Sequence, residues 1–94
     1  MHGLIGKFKA QSGKRDELIA IMTEGSVKMP GCISYVIAKD PVDADAIWIT
    51  EVWDSKESHT ASLKIPEVTA TIQKAMPLIA GFDTHIETEP VSVA

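Results

Sequence analysis

The amino-acid sequence predicts an α+β fold with the element order β-α-β-β-α-β, the ferredoxin-like arrangement of an antiparallel sheet with helices on one face. Three observations predict this fold. Four β-rich segments are spread along the chain, amphipathic helical segments follow the first and the third of them, and turn-forming residues separate neighbouring segments. With 94 residues, the chain is expected to form a single domain over residues 1–94.

The first strand is predicted over His2–Ala10, an apolar and β-rich segment that a turn at residues 11–13 ends. The first helix is predicted from Arg15 to Met29, because apolar residues recur there at intervals of three and four and acidic residues stand in its first turn. Gly25 marks the end of this helix, and the Met-Pro-Gly sequence at residues 29–31 closes it.

The next two strands are predicted over Cys32–Lys39 and Ala46–Trp53, which are β-branched and aromatic and are joined by a polar loop at residues 40–45. Together they form a hairpin. Neither strand alternates cleanly between apolar and polar residues, so both faces of the sheet should be covered. Helices would cover one face, and the sheet of a second subunit would cover the other.

The second helix is predicted to start at Ser55, with Asp54 as its N-cap and Glu57 completing a capping box. Pro66 should break or restart this helix, because an interior proline loses a hydrogen bond and clashes with the preceding turn. The fourth strand is predicted over Phe82–Glu89, after a helix end marked by a proline and a glycine.

Composition excludes several classes of protein. The net charge is −4 and the lysines are scattered, which leaves no basic face for a nucleic acid. No apolar run approaches the roughly 20 residues of a membrane span, so we expect a cytoplasmic protein with no membrane partner. Cys32 is the only cysteine and is expected to be a small buried residue of its strand. The three histidines are isolated, so no metal site is expected.

The segment EVWDSKESH, residues 51–59, gathers the residue types that could carry chemistry. Glu51 and Trp53 are two apart in a strand and share one face, whereas Trp48 points to the other face. His59 is expected on the face of the second helix that points toward the sheet. An apolar cavity with an imidazole acceptor and an indole wall suits a flat, acidic organic molecule such as a phenol, a hydroquinone or an enol, with His59 as the base.

Structural interpretations of the same residues stay open. His59 could be a core or interface histidine that a carboxylate or backbone group satisfies, and Trp53 could serve packing alone. Glu51 could cap a backbone group or form a salt bridge across a dimer interface. Tyr35, the only tyrosine, is either a core residue or a hydrogen-bond donor to the pocket.

The chain resembles the antibiotic biosynthesis monooxygenase family of dimeric α+β barrels, which includes quinol monooxygenases and an autoinducer-2 processing enzyme. Three segments carry the resemblance: Ser12-Gly13-Lys14 with Leu18, the segment MPGCISY at residues 29–35, and the E-x-W…H pattern of Glu51, Trp53 and His59. The match runs from about residue 3 to residue 89.

The resemblance implies a homodimer in which two sheets face each other, with a pocket in each subunit between sheet and helices. It also implies oxygenation of a small phenol or quinol by molecular oxygen without metal, haem or flavin, so no cofactor is expected. Only His59, Glu51 and Trp53 fall on matched positions of the family's pattern, with His59 as the catalytic base and Glu51 and Trp53 binding the substrate. Tyr35 is added as a substrate-binding candidate from its strand position alone, not from the resemblance.

The chain departs from two branches of this family. The polyketide-hydroxylating members use an asparagine, a tryptophan and an arginine in the pocket, but this sequence contains no asparagine and only one arginine, Arg15. Haem-degrading members need an asparagine on the first strand and a tryptophan and a later histidine on the second helix, none of which this sequence provides. Neither mechanism can therefore be transferred whole.

Two other functions remain open at this stage. The first is an isomerase or another proton-transfer enzyme, which would need the same base but no oxygen. The second is a non-catalytic dimeric module that binds a small molecule, because the ferredoxin-like arrangement carries enzymes and binding modules alike.

Overall fold

The computed structural model of the protein describes residues 1–25 and 29–94. It has the predicted fold, a four-stranded antiparallel sheet with helices on one face. The sheet order is β2-β3-β1-β4, so the first strand lies in the interior of the sheet between the third and fourth strands. The elements are β1 (His2–Ala10), α1 (Arg15–Glu24), β2 (Cys32–Lys39), β3 (Ala46–Trp53), α2 (Lys56–Ser62), α3 (Pro66–Ala75) and β4 (Ile79–Thr88), with a 3₁₀ turn (Met76–Leu78) before β4.

The bounds predicted for the first three strands are confirmed, and Pro66 does restart the helix. Pro66 occupies the first turn of α3, where a proline costs least because its missing N–H would have no intrahelical partner. The predicted second helix is therefore two helices, α2 and α3, separated by residues 63–65.

The predicted extent of the first helix was wrong. The helix ends at Glu24 rather than Met29, and the backbone N–H of Gly25 donates to the carbonyl of Ile21 at 3.0 Å. Gly25 lies against Thr71 of α3 so closely that any larger residue would collide with that side chain. The helix thus ends at Gly25, the first of the two stops that the sequence offers, and residues 26–28, which the prediction included, lie outside the described residues.

The start of the second helix also differs from the prediction. Ser55 is the N-cap, rather than Asp54, and its hydroxyl accepts a hydrogen bond from the backbone N–H of Ser58 at 3.1 Å. A serine oxygen that receives an N–H three residues later satisfies one of the free donors at a helix start. The backbone N–H of Asp54 instead donates to the carbonyl of Gly31 at 2.8 Å, which joins this turn to the start of β2.

The fourth strand begins earlier than predicted, at Ile79 rather than Phe82, and ends at Thr88. Gly81, predicted to end the preceding helix, lies within the strand and pairs with Lys9. Pairing with β1 extends the strand at its start, because β1 offers free backbone groups along its whole length. Register shifts near Phe8 and near Ala10 accommodate the extra residues.

The hydrophobic core lies between the sheet and the helices. Its buried cluster consists of Phe8, Ala10, Leu18, Ile47 and Ala75. Leu18 from α1 and Ile47 from β3 have no exposed surface. Burying an aliphatic side chain of this size contributes about 1.5–3 kcal/mol, so these contacts anchor α1 and α3 on one face of the sheet.

Candidate functional site

A cavity of about 270 Å³ lies between the helix-covered face of the sheet and the helices. It is unevenly lined. Four side chains that carry hydrogen-bonding groups, Tyr35, Glu51, Trp53 and His59, meet at one end, while apolar side chains form most of the remaining wall. A concave, mainly apolar site with a few convergent polar groups is the usual form of a small-molecule site.

The carboxylate of Glu51 is the centre of the polar end. The indole N–H of Trp53 donates to Oε1 of Glu51 at 3.1 Å, and Nε2 of His59 lies 3.8 Å from the same oxygen. The side chains of Glu51 and His59 are 17% and 23% exposed, so their charges are only partly screened by water. The carboxylate therefore orients the indole through a hydrogen bond, and it lies within ion-pair distance of the imidazole.

The rings at this end are packed together. The Trp53 indole and the His59 imidazole are 5.3 Å apart between centroids and meet edge to face at 65°. The imidazole of His2 lies 6.2 Å from that of His59 on its other side. Trp53 is 1% exposed, so its indole serves both as core packing and as a wall of the cavity.

Local structure explains why His59 reaches the cavity. The Ser55 cap starts α2 directly after β3, which places His59 one helical turn beyond the end of the strand that carries Glu51 and Trp53. The buried Ser62 hydroxyl donates to the carbonyl of His59 at 2.6 Å. This bond holds the backbone of α2 where the imidazole faces the carboxylate.

Tyr35 reaches the same end from β2. It is paired directly with Glu51 across the β2-β3 ladder, and directly paired residues have side chains on one face of a sheet. Burial, followed by the nearby Glu51 carboxylate, raises the pKa of Tyr35 to about 12. The phenol therefore remains a proton donor at any physiological pH. With 38% of its surface exposed, Tyr35 is a cavity residue and not a core residue.

Trp48 points away from this site, as its position in the strand predicts. Its indole N–H donates to Oδ2 of Asp40 at 2.8 Å on the opposite face of the sheet. The single arginine is also elsewhere. Nη1 of Arg15 donates to the carbonyl of Asp43 at 2.9 Å and thereby fastens the β2-β3 loop to the start of α1.

Cys32 is partly exposed, and not fully buried as the sequence suggested. Desolvation, followed by the charge of Glu51, raises the pKa of its thiol, so the thiol stays protonated and weakly nucleophilic. Within residues 1–25 and 29–94, no three side chains of histidine, cysteine, aspartate or glutamate are placed to share a metal ion.

The structure thus brings together all four residues predicted for the site: Glu51, Trp53, His59 and Tyr35. Glu51 does not cap a backbone group in this structure, because its carboxylate interacts with Trp53 and His59 of the same chain. Sequence reasoning missed His2, which reaches His59 because it pairs with Trp53 in the β1-β3 ladder. Only the strand register could have shown this, since nothing near His2 in the sequence indicates it.

The part of the chain that the structure describes contains no helix long and apolar enough to cross a membrane.

The sequence model of the antibiotic biosynthesis monooxygenase family matches residues 1–74. A protein of Synechocystis that is uncharacterised is 28% identical over 78 residues, which cover 80% of this chain and 53% of that protein. The chain therefore spans about half the length of this curated relative.

Solved structures give a stronger match. A protein of Chloroflexus aurantiacus J-10-fl, provisionally described as an antibiotic biosynthesis monooxygenase, is 60% identical with a TM-score of 0.95, covering 99% of this chain and 95% of that one. A protein of Nitrosomonas europaea with the same provisional description shares the fold at 13% identity, with a TM-score of 0.85 over 98% of this chain and 100% of that one. The match of the family's sequence model over most of the chain shows that the chain belongs to the antibiotic biosynthesis monooxygenase family.

Proposed function

We propose that this protein is a cofactor-independent monooxygenase that acts on a small quinol, phenol or enolisable molecule. The observation that carries the proposal is the convergence of Glu51, Trp53, His59 and Tyr35 at one end of an otherwise apolar cavity. A base must first ionise the substrate hydroxyl, and the resulting anion is most reactive where water is excluded. Membership of the family and the provisional description of the Chloroflexus protein support the same activity.

The first step is proton transfer from the substrate hydroxyl to His59. A proton on Nε2 faces the Glu51 carboxylate at 3.8 Å, which leaves Nδ1 as the acceptor of the ring. The carboxylate then stabilises the imidazolium, and the indole N–H of Trp53 holds the carboxylate in place. Glu51 and Trp53 therefore orient the base, and both also contact the substrate at the polar end.

The substrate anion next gives one electron to molecular oxygen, and the two radicals combine to form a peroxide on a substrate carbon. Where that carbon carries hydrogen, loss of this hydrogen as a proton and cleavage of the O–O bond leave one oxygen as a new carbonyl. The other oxygen leaves as water after it takes up protons, one of them from His59. A hydroxyarene and oxygen thus give a quinone and water, and no external reductant is needed. The protonated phenol of Tyr35 can donate a hydrogen bond to the developing oxyanion.

We also propose that the protein acts as a homodimer through the sheet face that no helix covers. Val36, Ile86 and Val52 share this face according to the strand pairing, and the first two are 51% and 49% exposed. Apolar side chains clustered on one sheet face mark an interaction surface. A second copy of the sheet would cover them and close the barrel that is typical of the family.

Oxygen uptake tests the catalytic proposal. The purified, metal-stripped protein should consume oxygen with a quinol or hydroxynaphthalene panel faster than the substrates autoxidise. His59→Ala should lower the rate about 10²- to 10⁴-fold, because a positioned general base contributes this much. His85→Ala is the matched control, since this exposed histidine of β4 lies outside the cavity lining.

An unchanged rate in His59→Ala would contradict the role of His59 as the base. Turnover without oxygen would instead identify a proton-transfer enzyme. A metabolite that purifies with the protein and is not converted would identify a binding module.

A further inference from the structure

The Glu51 carboxylate alone does not fix the orientation of the His59 imidazole. Among the described residues the imidazole forms no hydrogen bond, since its Nε2 lies 3.8 Å from Oε1 of Glu51, which is the distance of an ion pair. An attraction of this kind depends little on direction, so it draws the ring toward the carboxylate without setting its rotation. The hydrogen bond from Ser62 fixes only the backbone of His59. The rotation of the ring therefore depends on its packing.

Two aromatic rings lie against the imidazole of His59. Its centroid is 5.3 Å from that of Trp53 and 6.2 Å from that of His2, and aromatic rings are in contact at centroid distances of about 4.5–7 Å. Trp53 and His2 are paired in the β1-β3 ladder, so their side chains lie next to each other on the helix-covered face of the sheet. The two rings thus form a platform against which the imidazole of His59 packs.

The strand that carries His2 is held firmly on both sides. His2 is paired with Trp53 of β3, and the next residue, Gly3, is paired with Thr88 of β4. Gly3 lies so close to the side chains of Thr88 and Pro90 that a methyl group at this position would collide with both. The start of β1 is therefore enclosed by its two neighbouring strands and by Pro90, which keeps the His2 ring at a fixed place on the sheet.

His2 lies outside the cavity itself. His59 and Trp53 belong to the cavity lining, whereas His2 does not, and its side chain is only partly buried. A ligand in the cavity meets His59 and Trp53 directly, so any effect of His2 on that ligand passes through His59. Without the His2 ring, Trp53 would be the only aromatic ring of the described chain that packs against His59, and the imidazole would have room to rotate.

We infer that His2 is a positioning residue of the site, whose ring packs against His59 and holds the imidazole in the orientation that faces Glu51. The inference rests on the proposed function for the role of His59 as the base. It goes further because it assigns a role to a residue outside the cavity lining. Since the contact is one of shape, a ring without nitrogen atoms should serve as well as an imidazole.

Oxygen uptake by two variants at His2 tests the inference. His2→Ala should lower kcat about 10- to 100-fold, because a shift of a catalytic group by about 1 Å can cost this much. KM should change by less than about threefold, since His2 does not touch the substrate. His2→Phe should keep kcat within about twofold of the wild-type value, because its ring preserves the contact. His85→Ala is the matched control, a histidine of β4 outside the cavity lining.

Nuclear magnetic resonance measures the orientation of the His59 ring without substrate or oxygen. In protein with isotope-labelled histidine, the His59 signals are identified by their loss in His59→Ala. Nuclear Overhauser effects to the Trp53 indole should weaken in His2→Ala, and the order parameter of the His59 ring should fall from about 0.85, typical of a rigid group, to below about 0.6. His2→Phe should keep both values. The amide spectrum shows whether each variant is folded.

The outcomes separate this inference from the proposed function. An unchanged kcat in His2→Ala, an equal loss in His2→Ala and His2→Phe, or a His59 ring that is equally ordered in all three proteins would overturn the inference. A wild-type protein that takes up no oxygen, but whose His59 ring loses its order in His2→Ala and keeps it in His2→Phe, would reject the monooxygenase and uphold the positioning role of His2.

Discussion

The two faces of the sheet carry the same kind of apolar residues but are covered differently. On one face, Trp53 of β3 is almost completely buried beneath the helices, Leu18 of α1 is buried between helix and sheet, and the packing leaves a cavity with a polar end. On the other face, no element of the described chain covers Val36 and Ile86, which remain about half exposed. The comparison teaches that one face supplies the folding energy and the candidate site, while the other presents apolar surface that the proposed dimer would bury.

The polar groups of the two faces differ as well. Those at the cavity converge on one carboxylate and leave room for a ligand. Those on the open face pair with each other: Nζ of Lys7 lies 3.9 Å from carboxylate oxygens of both Asp40 and Asp83, and it lies 5.5 Å from the centre of the Trp48 ring. Asp40 also accepts the Trp48 indole N–H. The charges of this cluster on the open face are thus balanced by their neighbours in the same chain.

The largest expected difference between the faces is in folding stability. Leu18→Ala removes a completely buried side chain and should lower the free energy of unfolding by about 3 kcal/mol, within a range of about 2–5 kcal/mol. Val36→Ala on the open face should change the stability of the monomer by no more than about 1 kcal/mol. Urea unfolding at low protein concentration measures both. Equal losses would show that the open face contributes to the fold of the single chain.

The next effect concerns association. Ile86→Glu places a charge on the open face, and burying it between two sheets should raise the dissociation constant of the dimer at least about 100-fold. Sedimentation equilibrium measures this constant. Val42→Glu is the control, because Val42 lies in the β2-β3 loop, is 93% exposed and should leave association unchanged. A monomeric wild-type protein, or a variant that dimerises normally, would contradict the proposed use of this face.

Much of the fold follows from local sequence signals. Turn residues follow each of the first three strands and also precede the second and third, and their limits were therefore predicted correctly. The sequence offered two stops for α1, Gly25 and the Met-Pro-Gly segment at residues 29–31, and the structure uses the first. The start of β4 depends on a contact between distant segments, the pairing of Gly81 with Lys9, which leaves no local pattern in the sequence. The cap of α2 failed differently, because both Asp54 and Ser55 are good capping residues and only the backbone path decides between them.

Part of the candidate site was also predictable from local sequence signals. The period of two along β3 placed Glu51 and Trp53 together, and the short connection to α2 brought His59 near them. The pairing of Tyr35 with Glu51, and the contact of His2 with His59, require the register and order of the strands. The division of the cavity into a polar end and an apolar wall depends on where α3 rests on the sheet, and the spacing of residues in the sequence does not specify this position.

The smallest expected effects are changes of folding stability with pH, and these differ between the two faces of the sheet. Hydrogen bonds from the backbone N–H of Asp43, the indole of Trp48 and the backbone N–H of Val42 lower the pKa of Asp40 to about 2, from a usual value of 3.8. The stability that this carboxylate contributes is therefore complete above about pH 4, and it is lost as the pH falls through 2. Thermal unfolding followed between pH 2 and pH 6 should show this acid loss, and Asp40→Asn should reduce it, while the lowered pKa values of Asp43 and Asp16 keep part of it.

The cavity face responds at the opposite end of the pH scale. Burial and Glu51 raise the pKa of Tyr35 to about 12 from its usual value of 10, so the folded chain holds the phenolic proton more tightly than the unfolded chain does. The stabilisation is complete below pH 10, and it is lost as the pH rises through 12. Because Tyr35 is the only tyrosine, the absorbance of its phenolate reports this ionisation directly.

Glu51→Gln should lower the midpoint of that titration, yet it should leave the midpoint above 10, because burial is the larger cause of the shift. A midpoint near 10 in the wild-type protein would mean that water reaches the phenol freely and that the polar end of the cavity is open. An unchanged midpoint in Glu51→Gln would place the carboxylate too far from Tyr35 to act with it on one substrate oxygen. The titration therefore tests whether the residues at this end of the cavity form one site.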